Sequence, residues 1–137
     1  MKLRSRTNNL LGILAVFAAV LAENTIVAIT GNRTVNKAGA GSIPVGRVFK
    51  PATAVNGKGS IETGFSYLAE IKFDGAVAAG DRVKMAAADG DGNQRVKKWV
   101  AQDFDGEGVA TGDTADLICG ICWNGGADGT TGEVLFY

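Results

Sequence analysis

Ser66-Tyr-Leu-Ala-Glu-Ile-Lys-Phe-Asp-Gly-Ala-Val-Ala-Ala-Gly-Asp-Arg-Val-Lys-Met85 has the clearest strand and turn pattern in this chain. Residues in its first half alternate between the two sides of an extended chain, and this period of two predicts a strand with one buried face. Asp74-Gly75 ends that strand, and Gly80-Asp81 opens a second alternation. The residues predicted to face the core are Tyr67, Ala69, Ile71, Phe73, Val83 and Met85.

Short β-branched or alternating segments separated by Gly/Asp turns continue from Thr25 to the C-terminus. This spacing predicts a mainly β fold, a small β-barrel or sandwich of about eight short strands. An N-terminal apolar arm or short helix is expected to precede the strands. We therefore expect an arm over residues 1–24 and a β-domain over residues 25–137.

The chain has 137 residues and no histidine, so the commonest general base and the commonest zinc ligand are both missing. The net charge is zero but unevenly distributed. Residues 1–58 carry eight Lys/Arg and one acidic residue, a net charge of +7, and residues 59–137 carry six and thirteen, a net charge of −7. Such halves can pair with each other or with different neighbours. A nucleic-acid partner is not expected, because the basic surplus does not extend over the whole chain.

The first residues combine basic charge with an uncharged apolar run from Leu10 to Ala22. A helix of this run would rise only ~20 Å, which is too short to span a bilayer. If the segment contacts a partner, its basic residues and the bulky face of the predicted helix are the candidate contacts. These residues are Lys2, Arg4, Arg6, Leu10, Ile13, Leu14, Phe17 and Leu21.

Three interpretations of this segment stay open. A basic start, a short apolar run and small residues before Glu23 satisfy the template of a signal peptide cleaved after Ala22. An arm or helix that packs on a neighbouring subunit is the second interpretation, and a helix of the protein's own core is the third. The arm is the favoured hypothesis.

Two motifs resemble metal or redox sites. Asp89-Gly-Asp-Gly-Asn93 begins like a calcium loop, but Gln94 stands where an EF-hand needs glycine, so a hairpin turn is expected. Cys119 and Cys122 form a single C-x-x-C inside an apolar strand instead of at a helix start. We expect two buried, reduced thiols and no metal or cofactor.

The acidic group near the end of the chain could flank a sugar or a metal, and Trp99 and Trp123 could stack on a ligand. A solvated or partner-facing loop is the commoner outcome for the acidic residues, and packing in a core or at an interface is the commoner outcome for the tryptophans. The acidic residues are Asp103, Asp105, Glu107, Asp113 and Asp116. They include no paired acid and base with an orienting group, so an enzyme is not expected.

Several segments together resemble the small capsid decoration (cement) proteins of tailed bacteriophages. The resemblance covers residues 43–137 and includes an Ala-Gly-Asp-x-Val corner, here Ala79-Gly-Asp-Arg-Val83. The segments that carry it are Val45–Phe49, Tyr67–Phe73, Ala78–Met85, Leu117–Trp123 and Gly132–Phe136.

This resemblance implies a β-rich virion protein, usually trimeric, on the outside of the capsid. It would bridge neighbouring subunits of the major capsid protein by adhesion, without turnover. No nucleic acid and no membrane is expected as a partner, and the protein would be in the host cytoplasm during assembly. The alternative is a secreted or periplasmic β-domain, released from a signal peptide over residues 1–22, that binds a ligand or surface.

Overall fold

The computed structural model describes residues 11–63, 67–104 and 110–137. They fall into two compact units, which are described separately below. Unit 1 lies within Met1–Ala38 and Pro44–Ser66, and unit 2 within Gly39–Ile43 and Tyr67–Tyr137.

Unit 1 contains a closed five-stranded barrel, here called barrel 1. Its strands follow one another in the order β1-β3-β2-β4-β5, and β5 closes the barrel by pairing with β1. Only β1 and β3 are parallel. The strands are β1 Leu11–Phe17, β2 Ile26–Gly31, β3 Thr34–Lys37, β4 Pro44–Lys50 and β5 Lys58–Thr63.

Unit 2 contains a second closed barrel, here called barrel 2, with the strand order β11-β12-β6-β8-β7. Its strands are β6 Tyr67–Phe73, β7 Arg82–Ala86, β8 Arg95–Lys98, β11 Gly120–Asn124 and β12 Thr131–Phe136. A two-stranded sheet and a short 3-10 helix lie in the connection between β8 and β11. These are β9 Asp103–Phe104, β10 Ala110–Thr111 and the 3-10 helix Ala115–Leu117.

The two barrels have the same topology. Strands β1, β2, β3, β4 and β5 correspond in pairing and direction to β6, β7, β8, β11 and β12, and β6 and β8 form the parallel pair of barrel 2. The register also agrees: Phe17 lies opposite Val35 in barrel 1, and Phe73 lies opposite Val96 in barrel 2. The chain is therefore built as an internal duplication.

Equivalent positions also form the two cores. Phe17 and Phe73 are both fully buried, and so are Val27 and Val83. The remaining equivalent buried pairs are Ala15 and Ile71, Leu21 and Val77, Val35 and Val96, Val48 and Cys122, and Ile61 and Val134. Each inward-facing position of a barrel thus holds one apolar side chain. Burial of these side chains is the main favourable contribution to the free energy of folding of each barrel.

A glycine near the start of β4 and of β11 shows how closely the duplicates agree. A Cβ atom on Gly46 would lie 2.1 Å from the carbonyl oxygen of Glu62, and one on Gly120 would lie 2.6 Å from that of Leu135. Both distances are far inside van der Waals contact, so the backbone approach in each barrel requires glycine.

The mainly β fold predicted from the sequence is confirmed, and it takes the form of barrels. The described residues hold more strands than the predicted eight, and they form two compact units where one β-domain was expected. The expected division between residues 24 and 25 falls inside unit 1 and does not coincide with the boundary between the units.

The short helix predicted over the N-terminal apolar run is wrong for the residues that are described there. Leu11–Phe17 is strand β1, which pairs with β5 along six residues and with β3 at its end. Both sides of this strand are apolar, because Leu14 and Val16 stand between the inward-facing residues. An uninterrupted apolar run carries no period, so pairing partners elsewhere in the chain decide between helix and strand.

Candidate interaction surface

Barrel 1 has an open apolar end, here called the barrel 1 mouth. All five strands contribute to it around a pocket of about 560 Å³. Ala15, Val35 and Ile61 of the core reach the pocket, while Ile13 and Ile29 are exposed. Its lining residues are Ile13, Leu14, Ala15, Ile29, Arg33, Thr34, Val35, Val45, Ile61 and Thr63. Exposed aliphatic side chains around a concave floor are typical of a binding surface.

The corresponding end of barrel 2 is closed. Met85, at the position of Ile29, is 1% exposed, whereas Ile29 is 66% exposed. Phe136 stands at the position of Thr63 and is buried, and Cys119 is buried at the position of Val45. Residues at these positions are therefore buried in barrel 2, whereas Ile29 is exposed at the same end of barrel 1.

Each barrel also presents an exposed aromatic residue at one equivalent β-bulge. The register between β4 and β5 shifts between Val48 and Lys50, and the register between β11 and β12 shifts between Cys122 and Asn124. The bulged residues are Phe49, which is 56% exposed, and Trp123, which is 67% exposed. Neither ring packs in a core, so we expect both side chains to contact something outside their own barrel.

On the outer side of barrel 2, an apolar row lies next to this tryptophan. Leu135 of β12 is paired with Leu68 of β6 on one side and with Ile121 of β11 on the other. Leu68 and Ile121 are exposed. In the next row Glu133 lies directly opposite Glu70, and no hydrogen bond or ion pair of either carboxylate is found among the described residues. We call Leu68, Glu70, Ile121, Trp123, Glu133 and Leu135 the barrel 2 face.

The equivalent outer side of barrel 1 is different in chemistry. Where barrel 2 has its apolar row, barrel 1 has an ion pair between Arg47 and Glu62 at 2.9 Å. Exposed lysines at residues 50 and 58 accompany Phe49, and Ser60 stands at the position of Glu133. We call Phe49, Lys50, Lys58 and Ser60 the barrel 1 face.

The residues predicted to bind a partner fall into three groups. Ile13 and Leu14 are exposed at the barrel 1 mouth and remain candidate contacts. Phe17 and Leu21 are buried in the core of unit 1, so their side chains stabilise that core and do not face a partner. The others lie outside the described residues, namely Lys2, Arg4, Arg6 and Leu10. The exposed Ile29 and Phe49 were not named as candidate contacts, because each lies in a segment that looks like an ordinary strand. Trp123 was named only as a residue that could stack on a ligand or pack in a core or interface, and it is exposed.

The calcium-like motif is a hairpin, as predicted. It connects the antiparallel strands β7 and β8. Both oxygens of Asp89 are occupied: Oδ1 accepts the backbone N–H groups of Asp91 and Asn93, and Oδ2 accepts the Lys72 ammonium at 2.7 Å and the Asn93 amide. These contacts, Lys72 first, hold the pKa of Asp89 well below its usual range. In the part of the chain that the structure describes, no group of three or more His, Cys, Asp or Glu is arranged to hold a metal ion.

Two further carboxylates of unit 2 are held ionised by partners. The backbone N–H of Ala78 and the ammonium of Lys98 lower the pKa of Asp81. Burial opposes ionisation of Asp113, but hydrogen bonds from the Lys84 ammonium and the Val100 N–H outweigh it and lower its pKa. Asp113 of the predicted acidic group thus forms an ion pair with Lys84, and Asp105 and Glu107 lie outside the described residues.

The two cysteines are free and buried, as expected from their apolar strand. Burial raises the pKa of Cys119 to about 12 and also raises the pKa of Cys122. The Cys119 thiol lies 3.5 Å from the carbonyl oxygen of Val83, to which it can donate. Each side chain fills part of the barrel 2 interior.

Comparison of the chain with models of known protein families and with curated proteins finds no match. Within residues 11–63, 67–104 and 110–137, no helix has the length and apolar character needed to cross a membrane.

Proposed function

We propose that this protein is a structural protein of a phage virion that binds the outside of the capsid and bridges neighbouring capsid subunits. Its partner is the major capsid protein, and it acts as a homo-oligomer, most simply a trimer, by adhesion and without turnover. The protein binds the assembled shell and not the free subunits, so it stabilises the shell by mass action.

The barrel 1 mouth carries this proposal. Burying Ile29 would stabilise barrel 1 if the fold were the only constraint, as Met85 does in barrel 2, yet Ile29 is exposed beside Ile13 and Leu14. An exposed apolar concavity in one copy of a duplicated fold favours a partner that inserts an apolar segment. We assign this contact to the capsid protein.

The resemblance to decoration proteins supports the same proposal. The resembling segments fall on strands of both barrels, and Ala79-Gly-Asp-Arg-Val83 forms the corner before β7. In that corner Gly80 has a φ of 86°, and Asp81 accepts the backbone N–H of Ala78 at 3.0 Å. The Gly and the Asp of the motif thus each have a defined structural task.

Secretion with a cleaved signal peptide is disfavoured by the contacts of β1. A chain that begins after Ala22 would lack the strand that closes barrel 1, together with the buried Phe17 and Leu21. It would also leave unpaired the edges of β3 and β5 that hydrogen-bond to β1.

Cosedimentation with decoration-free capsids tests the proposal. The particles are shells of the major capsid protein of the same phage, purified without this protein. We expect saturable binding of the wild-type protein, and roughly tenfold weaker binding of Ile29→Ser, because about one aliphatic side chain of burial is lost. Val55→Ser, which removes an exposed valine of unit 1 outside the pocket, is the matched control and should bind normally. Absence of wild-type binding would refute the proposal.

A further inference from the structure

The two duplicated faces occupy the same position on their barrels but carry opposite charge. The barrel 1 face presents Lys50 and Lys58, and the barrel 2 face presents Glu70 and Glu133. No ion pair of these four residues occurs among the residues the structure describes. The described part of each unit has a net charge of the same sign as its face.

The uncharged parts of the two faces are also suited to contact. Phe49 and Trp123 are exposed at equivalent bulges, and the row Leu68–Leu135–Ile121 runs beside the tryptophan. Aromatic and aliphatic side chains at the centre with charges at the border are the usual anatomy of a protein interface. Aromatic residues at such centres commonly provide most of the binding energy.

Glu70 opposite Glu133 is unfavourable in an isolated barrel, because like charges face each other on adjacent strands. Lysines supplied by another surface would offset this repulsion. The surface must also bring an apolar or aromatic centre, since the carboxylates flank one. The barrel 1 face has both features.

From these observations we infer that the barrel 1 face of one copy binds the barrel 2 face of a second copy, so that chains associate head to tail. Contact between two barrel 2 faces would bring four carboxylates together, and contact between two barrel 1 faces would bring four lysines together. A heterologous contact of this kind forms a ring when its rotation closes. The inference rests on the self-association in the proposed function and names the surfaces that carry it.

The test is sedimentation velocity over a concentration series, with charge-reversal variants of the full-length protein. Lys50→Glu/Lys58→Glu and Glu70→Lys/Glu133→Lys each place like charges across the proposed contact. Each pair should weaken association by on the order of 100-fold, because like-charge juxtaposition costs several kcal/mol. The variant with all four substitutions restores opposite charges and should regain association. Asp91→Lys/Asp116→Lys changes the net charge by the same amount as Glu70→Lys/Glu133→Lys, at exposed acidic residues that are not part of the barrel 2 face, and should associate normally.

A monomeric wild-type protein at every concentration overturns the inference. So does association that survives either double reversal, or that is not regained by the fourfold variant while its circular dichroism stays native. If only the Glu70→Lys/Glu133→Lys variant loses association, the barrel 2 face binds a surface other than the barrel 1 face, and the inference is also overturned.

This experiment is separable from capsid binding. Ile29→Ser lies at the barrel 1 mouth and should leave self-association unchanged while it weakens cosedimentation. A wild-type protein that forms the charge-dependent oligomer but ignores capsids would refute the proposed function and leave the head-to-tail contact standing. A wild-type protein that binds capsids as a monomer would refute the head-to-tail contact and the homo-oligomer, and would leave capsid binding standing.

Discussion

Phe17 and Phe73 make the same contacts in two different barrels. Each is fully buried at the end of the first strand of its barrel, and each donates its backbone N–H over 2.9 Å, Phe17 to Gly57 and Phe73 to Thr130. Their carbonyl oxygens accept from Asn56 and Gly129, two residues with positive φ. Agreement of the hydrogen bonds and of the turn conformation indicates that the same barrel fold occurs twice in the chain.

The duplication separates what the fold requires from what it does not. Core positions are apolar in both barrels, as at Val27 and Val83, because burial there stabilises each barrel. The outer rows have diverged: Arg47 and Glu62 form an ion pair where barrel 2 has the apolar residues Ile121 and Leu135. The two barrels thus share their core positions but differ in the residues on one equivalent face. Such a difference is expected if the two faces contact different surfaces.

Replacing Gly46 or Gly120 with alanine should destabilise its barrel by about 1–3 kcal/mol or more, because the added Cβ would overlap a backbone carbonyl on the neighbouring strand. Denaturant unfolding followed by circular dichroism measures this change. Gly12→Ala and Gly90→Ala are the controls, since no atom lies within 4 Å of their added Cβ. Equal stabilities of all four variants would contradict the structural equivalence.

Barrel 2 should lose stability in acid. The pKa values of Asp81, Asp89 and Asp113 are lowered in the folded protein, so their stabilisation is fully present above the unfolded value of about 4. It is lost progressively as pH falls below that value through the folded pKa values. Both tryptophans of the chain lie in unit 2, so tryptophan fluorescence reports this barrel specifically.

The measurement is the denaturant midpoint of tryptophan fluorescence at pH 7, 5, 4 and 3. We expect little change from pH 7 to 5 and a clear fall below 4. Asp89→Asn should flatten this fall, because one of the three linked carboxylates is gone. A midpoint that rises on acidification would contradict the ion pairs.

Neither cysteine should react with a thiol reagent in the folded protein near pH 8. Burial raises the pKa of both thiols, to about 12 for Cys119, and the thiolate is the reacting form. Labelling with a maleimide followed by mass measurement should show no adduct until denaturant is added, then two. Rapid labelling of the native protein would mean that the interior of barrel 2 opens readily.

Deleting residues 1–22 should unfold barrel 1, because the deletion removes β1 and the buried Phe17 and Leu21. Phe17→Ala alone should cost about 3–5 kcal/mol, whereas Leu14→Ala at an exposed position should cost far less. Hydrogen exchange of β2 to β5 measures the loss of protection. Deletion of residues 1–10 leaves β1 in place and is the control. Native protection after the longer deletion would show that β1 is dispensable.

The alternation in Tyr67–Phe73 and the turn residues after it were sufficient to predict a β fold, because side-chain period and turn chemistry are local properties. The N-terminal run was misjudged because Leu14 and Val16 make both sides of β1 apolar, and only its pairing with β5 fixes it as a strand. The duplication could not be seen in the sequence, because an equivalent core position needs an apolar side chain of suitable volume and not the same residue type. Val48 and Cys122 are such a pair.

The candidate surfaces were harder to predict than the fold. Ile13 and Leu14 could be named from the sequence as partner contacts, but Phe17 in the same run is a core residue. Exposure of Ile29 and Trp123 depends on which strand end stays open and where a bulge lies. Both properties depend on the register between strands that are far apart in the sequence, and this register cannot be predicted from the residue pattern within one strand.

Calorimetry of decoration-free shells, with and without saturating protein, measures whether adhesion of this protein stabilises a capsid. Binding to the assembled shell alone must raise the temperature at which the shell comes apart, and the rise must grow with protein concentration. Ile29→Ser should need roughly tenfold more protein for the same rise, and Val55→Ser should match the wild type. A shell transition that stays at the same temperature with the folded wild-type protein in excess would refute stabilisation of the capsid by this protein.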